Sequence, residues 1–515
     1  MTDEATATPL PGYVTWSDVV TEQARRIPDR VAIVDDHGQR VDYRELDGQM
    51  RRAAAYWRAS GIEPGDRVAV LGRNSVEVVA NLLGLAFIGA TPVMLNWRLT
   101  TTELAELGDI CTPRAVAHDV DFDESAAAVL PDGLRVPMVR GQHGSTSEWA
   151  PETDAAHAPP AFALLHTSGT TGLPKFVALS QVSHLWGCRR LIEMSGQRTG
   201  DVHLRFTPLF HLAGLQEIVS SILSGGITYL QAAFDPDRWL DAVAARGVNY
   251  GHLPPSTMRR VVEAHAARAV KPDLSTLREV WYGTAPAGRE LVSAALAALG
   301  CDLLQVYGAT EALSPVSILP AVDHRSAGVD RLDTAGRLLP EWEARFRAPD
   351  GTDVPDGEPG ELLLRGGRMF TGYWTAEGTE GIGIDEDGWY ATGDVAVLDE
   401  DRYLTIVDRA KDMVISGGEN VYPAEVERAL ADHPQVAEIS AVGVPDETWG
   451  ESVCAVVVPR AETELDRDEF LAWARTRLAG FKAPRSVVVV EALPRNANGK
   501  VLKRDLRAEL AASDQ

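Results

Sequence analysis

The sequence predicts an α/β protein: a large N-terminal domain of parallel α/β sheets with a barrel-like antiparallel subdomain, then a small α+β C-terminal domain. Three observations predict it. Through the first hundred residues helical periodicity alternates with short apolar runs, the rhythm of strands joined through covering helices. Between residues 333 and 407 that rhythm gives way to short strands punctuated by glycine, as in G-R-L-L-P, D-G-T-D-V-P-D-G-E-P-G and E-L-L-L-R-G. After D-R-A-K-D (408–412) the alternation resets over a length sufficient for a separate core.

The elements follow in order. T-W-S-D-V-V-T-E-Q-A-R-R opens with a capping box, Thr15 with Asp18, and so starts a helix. V-A-I-V-D-D reads as a strand, residues 43–60 as a helix stopped by Gly61, and R-V-A-V-L as a strand. A helix over Val76–Ile88 and a strand T-P-V-M-L come next. Residues 120–160, rich in Asp, Ala and Pro with weak periodicity, read as a surface excursion before the strand F-A-L-L-H. In the C-terminal part Pro423–Ala431 and Arg467–Leu478 are helical in pattern. I-S-A-V-G-V, V-C-A-V-V-V and V-V-V-V are strands.

Composition narrows the function classes. At 515 residues the chain exceeds one core. Its net charge of −25 argues against nucleic acid, and any anionic substrate needs a locally basic site. One basic stretch exists: Arg475 to Arg507 holds nine basic and two acidic residues, a solvated helix face or part of such a site. No apolar run reaches the ~20 residues of a membrane span, and the acidic start MTDEATATPLPG lacks a signal-peptide pattern. The expectation is a cytoplasmic protein without a membrane partner. Cys111, Cys188, Cys301 and Cys454 have no zinc or C-x-x-C spacing, so reduced thiols in apolar surroundings are expected.

Five stretches carry chemistry. T-S-G-T-T-G-L-P-K (167–175) follows an apolar strand; Gly169 and Gly172 let backbone N–H groups converge on an anion. Thr167, Ser168, Thr170 and Thr171 add hydroxyls, and Lys175 adds charge. It lacks the Walker A spacing, and a hydroxyl-rich turn reads equally well from composition. P-L-F-H-L-A-G holds His211, as catalyst or as core histidine. V-Y-G-A-T-E offers the Tyr307 ring and the Glu311 carboxylate, a ligand type suited to Mg²⁺. W-Y-A-T-G-D presents Asp394, D-R-A-K-D presents Arg409, and P-R-N-A-N-G-K presents Lys500. Each alone also reads as an ordinary turn.

Taken as one ordered series, T-S-G-T-T-G-L-P-K, Y-G-A-T-E, W-Y-A-T-G-D, D-R-A-K-D-M-V-I-S-G-G-E-N-V-Y-P and N-G-K resemble the adenylate-forming superfamily of acyl-CoA synthetases, adenylation domains and luciferases. The resemblance runs from about Val14 to Leu510. It implies a two-step ligase using ATP, Mg²⁺ and coenzyme A: a carboxylic acid attacks the α-phosphate, then a thiol displaces AMP. It implies that Thr167, Ser168, Gly169, Thr170, Thr171, Gly172 and Lys175 enclose the β,γ-phosphates. Tyr307 would stack on adenine, Thr310 contact the α-phosphate, Glu311 hold Mg²⁺, Asp394 and Arg409 take the ribose, and Gly283 lie near adenine and acyl group. Lys500 would serve adenylation. It further implies a mobile C-terminal domain, 412–515 against 1–409, hinged at Lys411. Gly417 and Gly418 would then border a pantetheine tunnel, and Phe481, Lys482 and Arg485 would meet the nucleotide end of CoA. His211, Leu212, Ala213, Trp281, Gly308 and Leu313–Val316 would line an acyl pocket for a fairly large hydrophobic monocarboxylic acid, since none of them is Arg or Lys.

Two positions depart from the family pattern. Phe176 stands where a small residue is usual, and Ser180-Gln181 replaces a threonine–histidine pair. Phe176 reads either as core filler or as a ring that reshapes the phosphate loop. Three functions are carried forward: an acid–CoA ligase; an enzyme of the same fold that acylates a carrier protein or uses a supplied adenylate; and a non-catalytic ligand sensor, against which the retained lysines and carboxylates argue. A homodimer is left open.

Overall fold

The computed structural model describes residues 15–139, 162–167, 175–325 and 331–513, except 367, 376, 377, 381, 382, 417, 418, 447, 462, 464 and 496–500. It is a mixed α/β structure with two largely parallel sheets, an antiparallel half-barrel sheet and a C-terminal domain, as the sequence predicts.

The first helix, Trp16–Arg26, is capped by Thr15 in a full capping box with Asp18. The early strands do not share one sheet. Val31–Asp35 and Arg40–Asp42 join a nine-stranded sheet, whereas Arg67–Leu71 and Thr91–Met94 join an eight-stranded one. The centre of the nine-stranded sheet is parallel: Asp302–Tyr307, Glu279–Gly283, Tyr250–His252, Val202–Arg205, Ile227–Leu230 and Val31–Asp35 lie side by side. Local pattern cannot assign a strand to a sheet, because crossover helices let neighbours in sequence enter different sheets.

The expected surface excursion is partly structured. Asp123–Val129 is a helix, and Leu134–Pro137 adds a parallel edge strand beside Ala115–His118. Ala126, Val129 and Val136 supply its buried side, too few apolar residues to show a period. The rest of the excursion, 140–161, lies outside the described residues.

By packing, the chain forms two compact units: Met1–Trp342 with Gly366–Gly388, and Glu343–Arg365 with Trp389–Gln515. The second contains the antiparallel strands Tyr390–Leu398 and Leu404–Arg409 and all but the last residue of Gly360–Gly366. It also contains an α+β core in which Gly450–Pro459 pairs with Val436–Asp446 on one side and Ser486–Val489 on the other. That core is apolar, built on Val426, Val453, Ala455, Val457 and Phe470. All four cysteines are free and buried. No helix among the described residues is long and apolar enough to cross a membrane.

Candidate active site

The strand Phe162–Thr167 and the strand Lys175–Ser180 form an antiparallel hairpin, with Thr167 opposite Lys175 and His166 opposite Phe176. Residues 168–174, the expected phosphate loop with Ser168, Gly169, Thr170, Thr171 and Gly172, lie outside the described residues. What the hairpin fixes is its flanks. Side chains alternate across a strand, so Lys175 and Phe176 point to opposite faces. Phe176 is fully buried with Val93, Leu164 and Ala178, edge-on to His166. It fills the core at the root of the hairpin. Ser180 is the N-cap residue of the Gln181–Ser195 helix, and Gln181 Oε1 accepts the Trp16 N–H at 3.0 Å. The second departure from the family pattern therefore ties the first helix to this one.

Lys175 leads into a short relay. Its Nζ lies 4.9 Å from the Tyr373 ring centroid, and the Tyr373 hydroxyl donates to Glu311 Oε1 at 2.7 Å. Tyr373 is brought there by the strand Tyr373–Thr375, which pairs with Lys175–Ser180. Glu311 sits in a 3-10 turn, Thr310–Ala312, closed by Leu313 in a left-handed conformation (φ 58°), and its carbonyl accepts the Phe370 N–H at 2.8 Å. Thr310 and Tyr307 flank it. Glu311 is a nearly buried carboxylate with one oxygen already held, which suits a hard cation shared with phosphate oxygens. Among the described residues no three His, Cys, Asp or Glu side chains cluster as a metal cage. One protein carboxylate plus substrate oxygens is the arrangement Mg²⁺ takes.

Gly283 ends the strand Glu279–Gly283. A Cβ there would come 2.2 Å from the Val306 carbonyl oxygen, so only glycine fits. His211 is half-buried at the N-cap position of the Leu212–Ser224 helix, without a capping hydrogen bond from its side chain, and its ring lies 4.4 Å from that of Phe210. Leu313–Val316 and Trp281 are buried and Gly308 is exposed.

In the second unit, Asp394 Oδ1 accepts from Arg409 Nε at 2.8 Å. Their strands are adjacent and place the two residues directly opposite, with Gly393 at φ 71° just before. Arg409 Nη1 also donates to the Thr392 carbonyl at 3.3 Å. Lys411 is exposed in the Ala410–Asp412 turn, whose Asp412 accepts from Arg507 at 3.0 Å. Gly417, Gly418 and Lys500 lie outside the described residues. Of the three residues expected to meet CoA, Lys482 is held by both oxygens of Glu425 at 2.7 and 2.9 Å. Phe481 is exposed beside it. Arg485 lies 4.6 Å from the ring centroid of Trp449, an exposed tryptophan that no motif picked out.

A buried polar group behind the expected acyl residues was also missed. Arg205 is 2 % exposed and packs its guanidinium 4.9 Å from the Trp281 ring centroid. Glu217 Oε1 lies 2.5 Å from His252 Nδ1 and accepts from Thr207 Oγ1 at 3.1 Å. Burial pushes the Glu217 carboxyl up, but His252 and Arg205 more than offset it and leave it below its usual range. Burial and the Arg205 charge hold His203 well below its ordinary value, so that it is neutral. The signal for this group was present: V-H-L-R-F puts an arginine in an apolar strand, and L-Q-E-I-V puts a glutamate in an apolar helix.

A family model described as AMP-binding enzyme matches residues 20–374, and one described as AMP-binding enzyme C-terminal domain matches 425–500. A feruloyl-CoA synthase from an Amycolatopsis species is 37 % identical over 492 residues, covering 94 % of this chain and 97 % of that protein. A fatty acid–[acyl-carrier-protein] ligase of Streptomyces coeruleorubidus is 33 % identical over 492 residues, covering 91 % and 92 %. The structure of an o-succinylbenzoate CoA synthetase from Bacillus subtilis, in complex with its acyl-adenylate intermediate, superposes with a TM-score of 0.83 at 28 % identity. It covers 96 % of this chain and 98 % of that one. The chain belongs to the AMP-binding enzyme family, within the adenylate-forming superfamily that its motifs resemble.

Proposed function

We propose that the protein is an AMP-forming acid–CoA ligase. The observation that carries this reading is the relay Lys175–Tyr373–Glu311, which gathers a lysine and a nearly buried carboxylate around one tyrosine. A carboxylate is a poor acyl donor because oxide is a poor leaving group; an acyl-adenylate releases AMP instead. The protein's part is then charge neutralisation and positioning. Lys175 would neutralise phosphate charge, Glu311, held by the Tyr373 hydroxyl, would bind Mg²⁺, and Asp394 would take the ribose hydroxyls while Arg409 orients it. Lys500 serves the adenylation step, the C-terminal domain turns about Lys411 between steps, and Gly417 and Gly418 border the thiol's path. Phe481, Lys482 and Arg485 meet the CoA nucleotide. The relatives named as CoA ligases support CoA as acceptor; the relative named as a carrier-protein ligase supports a second reading in which the thiol belongs to a carrier protein. The acid is a fairly large hydrophobic monocarboxylic acid.

The test incubates the enzyme with ATP, Mg²⁺ and an acid library, offers CoA and a phosphopantetheinylated carrier protein together, and follows AMP and both thioesters. AMP formed with acyl-CoA is the expected result. Acylated carrier with no acyl-CoA supports the second reading, and no AMP with any acid removes both.

A further inference from the structure

The helix that follows the expected hinge, Pro423–Leu430, is not capped from its own end. The side chain of its N-cap residue, Tyr422, makes no capping hydrogen bond, and Pro423 at the first helical position has no N–H to offer. The next donor in the first turn, the Ala424 N–H, is taken by Asp408 Oδ2 at 2.7 Å. Asp408 Oδ1 accepts the Arg409 N–H at 2.6 Å, so both carboxylate oxygens are held. A carboxylate suits that place, because aligned peptide dipoles leave partial positive charge at a helix N-terminus.

The two halves of this cap stand on opposite sides of Lys411. Asp408 belongs to the strand Leu404–Arg409 and lies opposite Val395, one residue before the arginine that pairs with Asp394. Ala424 belongs to the helix of the C-terminal domain. Lys411 is exposed in the Ala410–Asp412 turn between them. The bond from Arg507 to Asp412 joins two residues that both follow Lys411, so a turn about Lys411 carries both together. The Asp408 bond joins a residue before Lys411 to one after it, so the same turn draws Ala424 away and breaks it. All of these residues fall in one compact unit.

We propose that Asp408 is a positioning residue for the two-step reaction: its carboxylate latches the C-terminal domain, through the Ala424 N–H, in the pose described here, and the latch opens each time that domain turns. This rests on the reading in which the domain turns about Lys411. The cap that stabilises the helix thereby also weights one pose against the other. Its neighbour in sequence, Arg409, belongs to the expected ribose pair, so the latch sits beside the nucleotide site.

The test uses the full-length enzyme with spin labels on cysteines introduced at two exposed positions, Asp356→Cys before the hinge and Arg467→Cys after it. The four native cysteines are buried and stay in place. Pulsed electron resonance reads the label-to-label distances without ligand, with Mg·ATP, with AMP and with coenzyme A, and thermal unfolding is followed beside it. The parent should show two distances across these samples. Without ligand, Asp408→Ala should shift their ratio about fivefold away from the pose described here, the factor expected for one lost helix cap. It should also lower the unfolding temperature. Asp408→Ala/Tyr422→Asp places a carboxylate at the helix's own N-cap, where it turns with the helix. That variant should recover the unfolding temperature and keep the shifted ratio. An unchanged ratio in Asp408→Ala, beside two distances in the parent, overturns the latch and leaves Asp408 a cap only. A ratio restored by Tyr422→Asp overturns it too, since helix stability would then set the pose. If Asp408→Ala does not fold, the ratio in the double variant decides. A single distance in every sample, parent and variants alike, overturns the turning reading and the latch with it.

Discussion

On one face of the nine-stranded sheet, Leu204, Val280, Tyr282 and Leu303 pack with Trp239, Leu240, Val243 and Val292 into an apolar core. On the other face the same strands present His203, Arg205, Tyr250, His252, Glu279 and Trp281, covered by the helix that carries Glu217. The strands are shared, so backbone and register are common to both faces and only the side-chain alternation separates them. The apolar face needs nothing beyond itself: its contacts are with one another. The polar face holds an arginine and a glutamate out of water, an arrangement that well-packed apolar residues usually match or exceed in stability. A sheet that can build the first kind of face but keeps the second is spending stability on something else, and polar atoms of Arg205 and Glu217 are left without hydrogen-bond partners among the described residues.

The largest effect should come from breaking the polar face on one side only. Glu217→Leu strands the buried Arg205 guanidinium and should lower unfolding stability by about 3–5 kcal/mol. Arg205→Met/Glu217→Leu should cost clearly less than this single change, since the Arg205 charge goes together with its partner and only His252 loses the carboxylate. Urea unfolding of Glu217→Leu, Arg205→Met and the double variant tests this, and a double variant as unstable as the sum of its singles would mean the two residues are not coupled.

A cut of similar depth into the opposite face should behave differently. Leu303 is fully buried in the apolar cluster, and Leu303→Ala should cost about 2–4 kcal/mol through lost contacts and a residual cavity. The pairing of Arg205 with Glu217 should not be disturbed, so Leu303→Ala and Glu217→Leu should add in their effects on stability. A non-additive sum would show that the faces are mechanically linked and would weaken the division between them.

The sequence made the fold legible where a local signal is strong: the capping box at Thr15, the Gly61 stop, the strand runs near 67 and 453, and the glycine-rich change of texture after 333. It could not say which strands share a sheet, because that depends on crossovers between distant segments. The motif residues were legible as an ordered series, and the structure shows how some of them meet. Asp394 and Arg409 are cross-strand partners, and Lys175 reaches Glu311 through Tyr373. Tyr373 was not legible, since an aromatic residue in T-G-Y-W reads as ordinary strand filler. Its role depends on pairing with a strand some two hundred residues earlier. Phe176 was ambiguous in sequence because the face it occupies is set by register, and the register turns it into the core. Arg205 and Glu217 were the plainest missed signal: two charges in apolar elements, twelve residues apart, whose pairing needs the helix to fold back over the sheet.

The smallest effect concerns the rim of the polar face and depends on pH. Glu279 Oε1 accepts from Trp281 Nε1 at 2.6 Å. Burial raises the Glu279 carboxyl to about 7, against the lowering influence of that bond and of Arg278. A folded pKa above the unfolded value of 4.5 means that the native state holds more protons between those values. Glu279 therefore destabilises progressively as pH rises from about 4.5 to about 7, and the penalty stays constant above that. The buried histidines act in the opposite sense. His166, held down to about 4, and His184, held down to about 3, both by burial, contribute stability that is lost as pH falls from 6.5. They remain in any Glu279 variant and cancel in a difference. Glu279→Gln copies the neutral side chain and still offers Trp281 an oxygen. It should match the wild type near pH 4 and exceed it near pH 8 by about 1–3 kcal/mol. Thermal or urea unfolding at the two pH values measures this directly. An equal difference at both would show that Glu279 titrates as an ordinary carboxylate and that the polar face reaches no further than Arg205, Glu217 and their immediate partners.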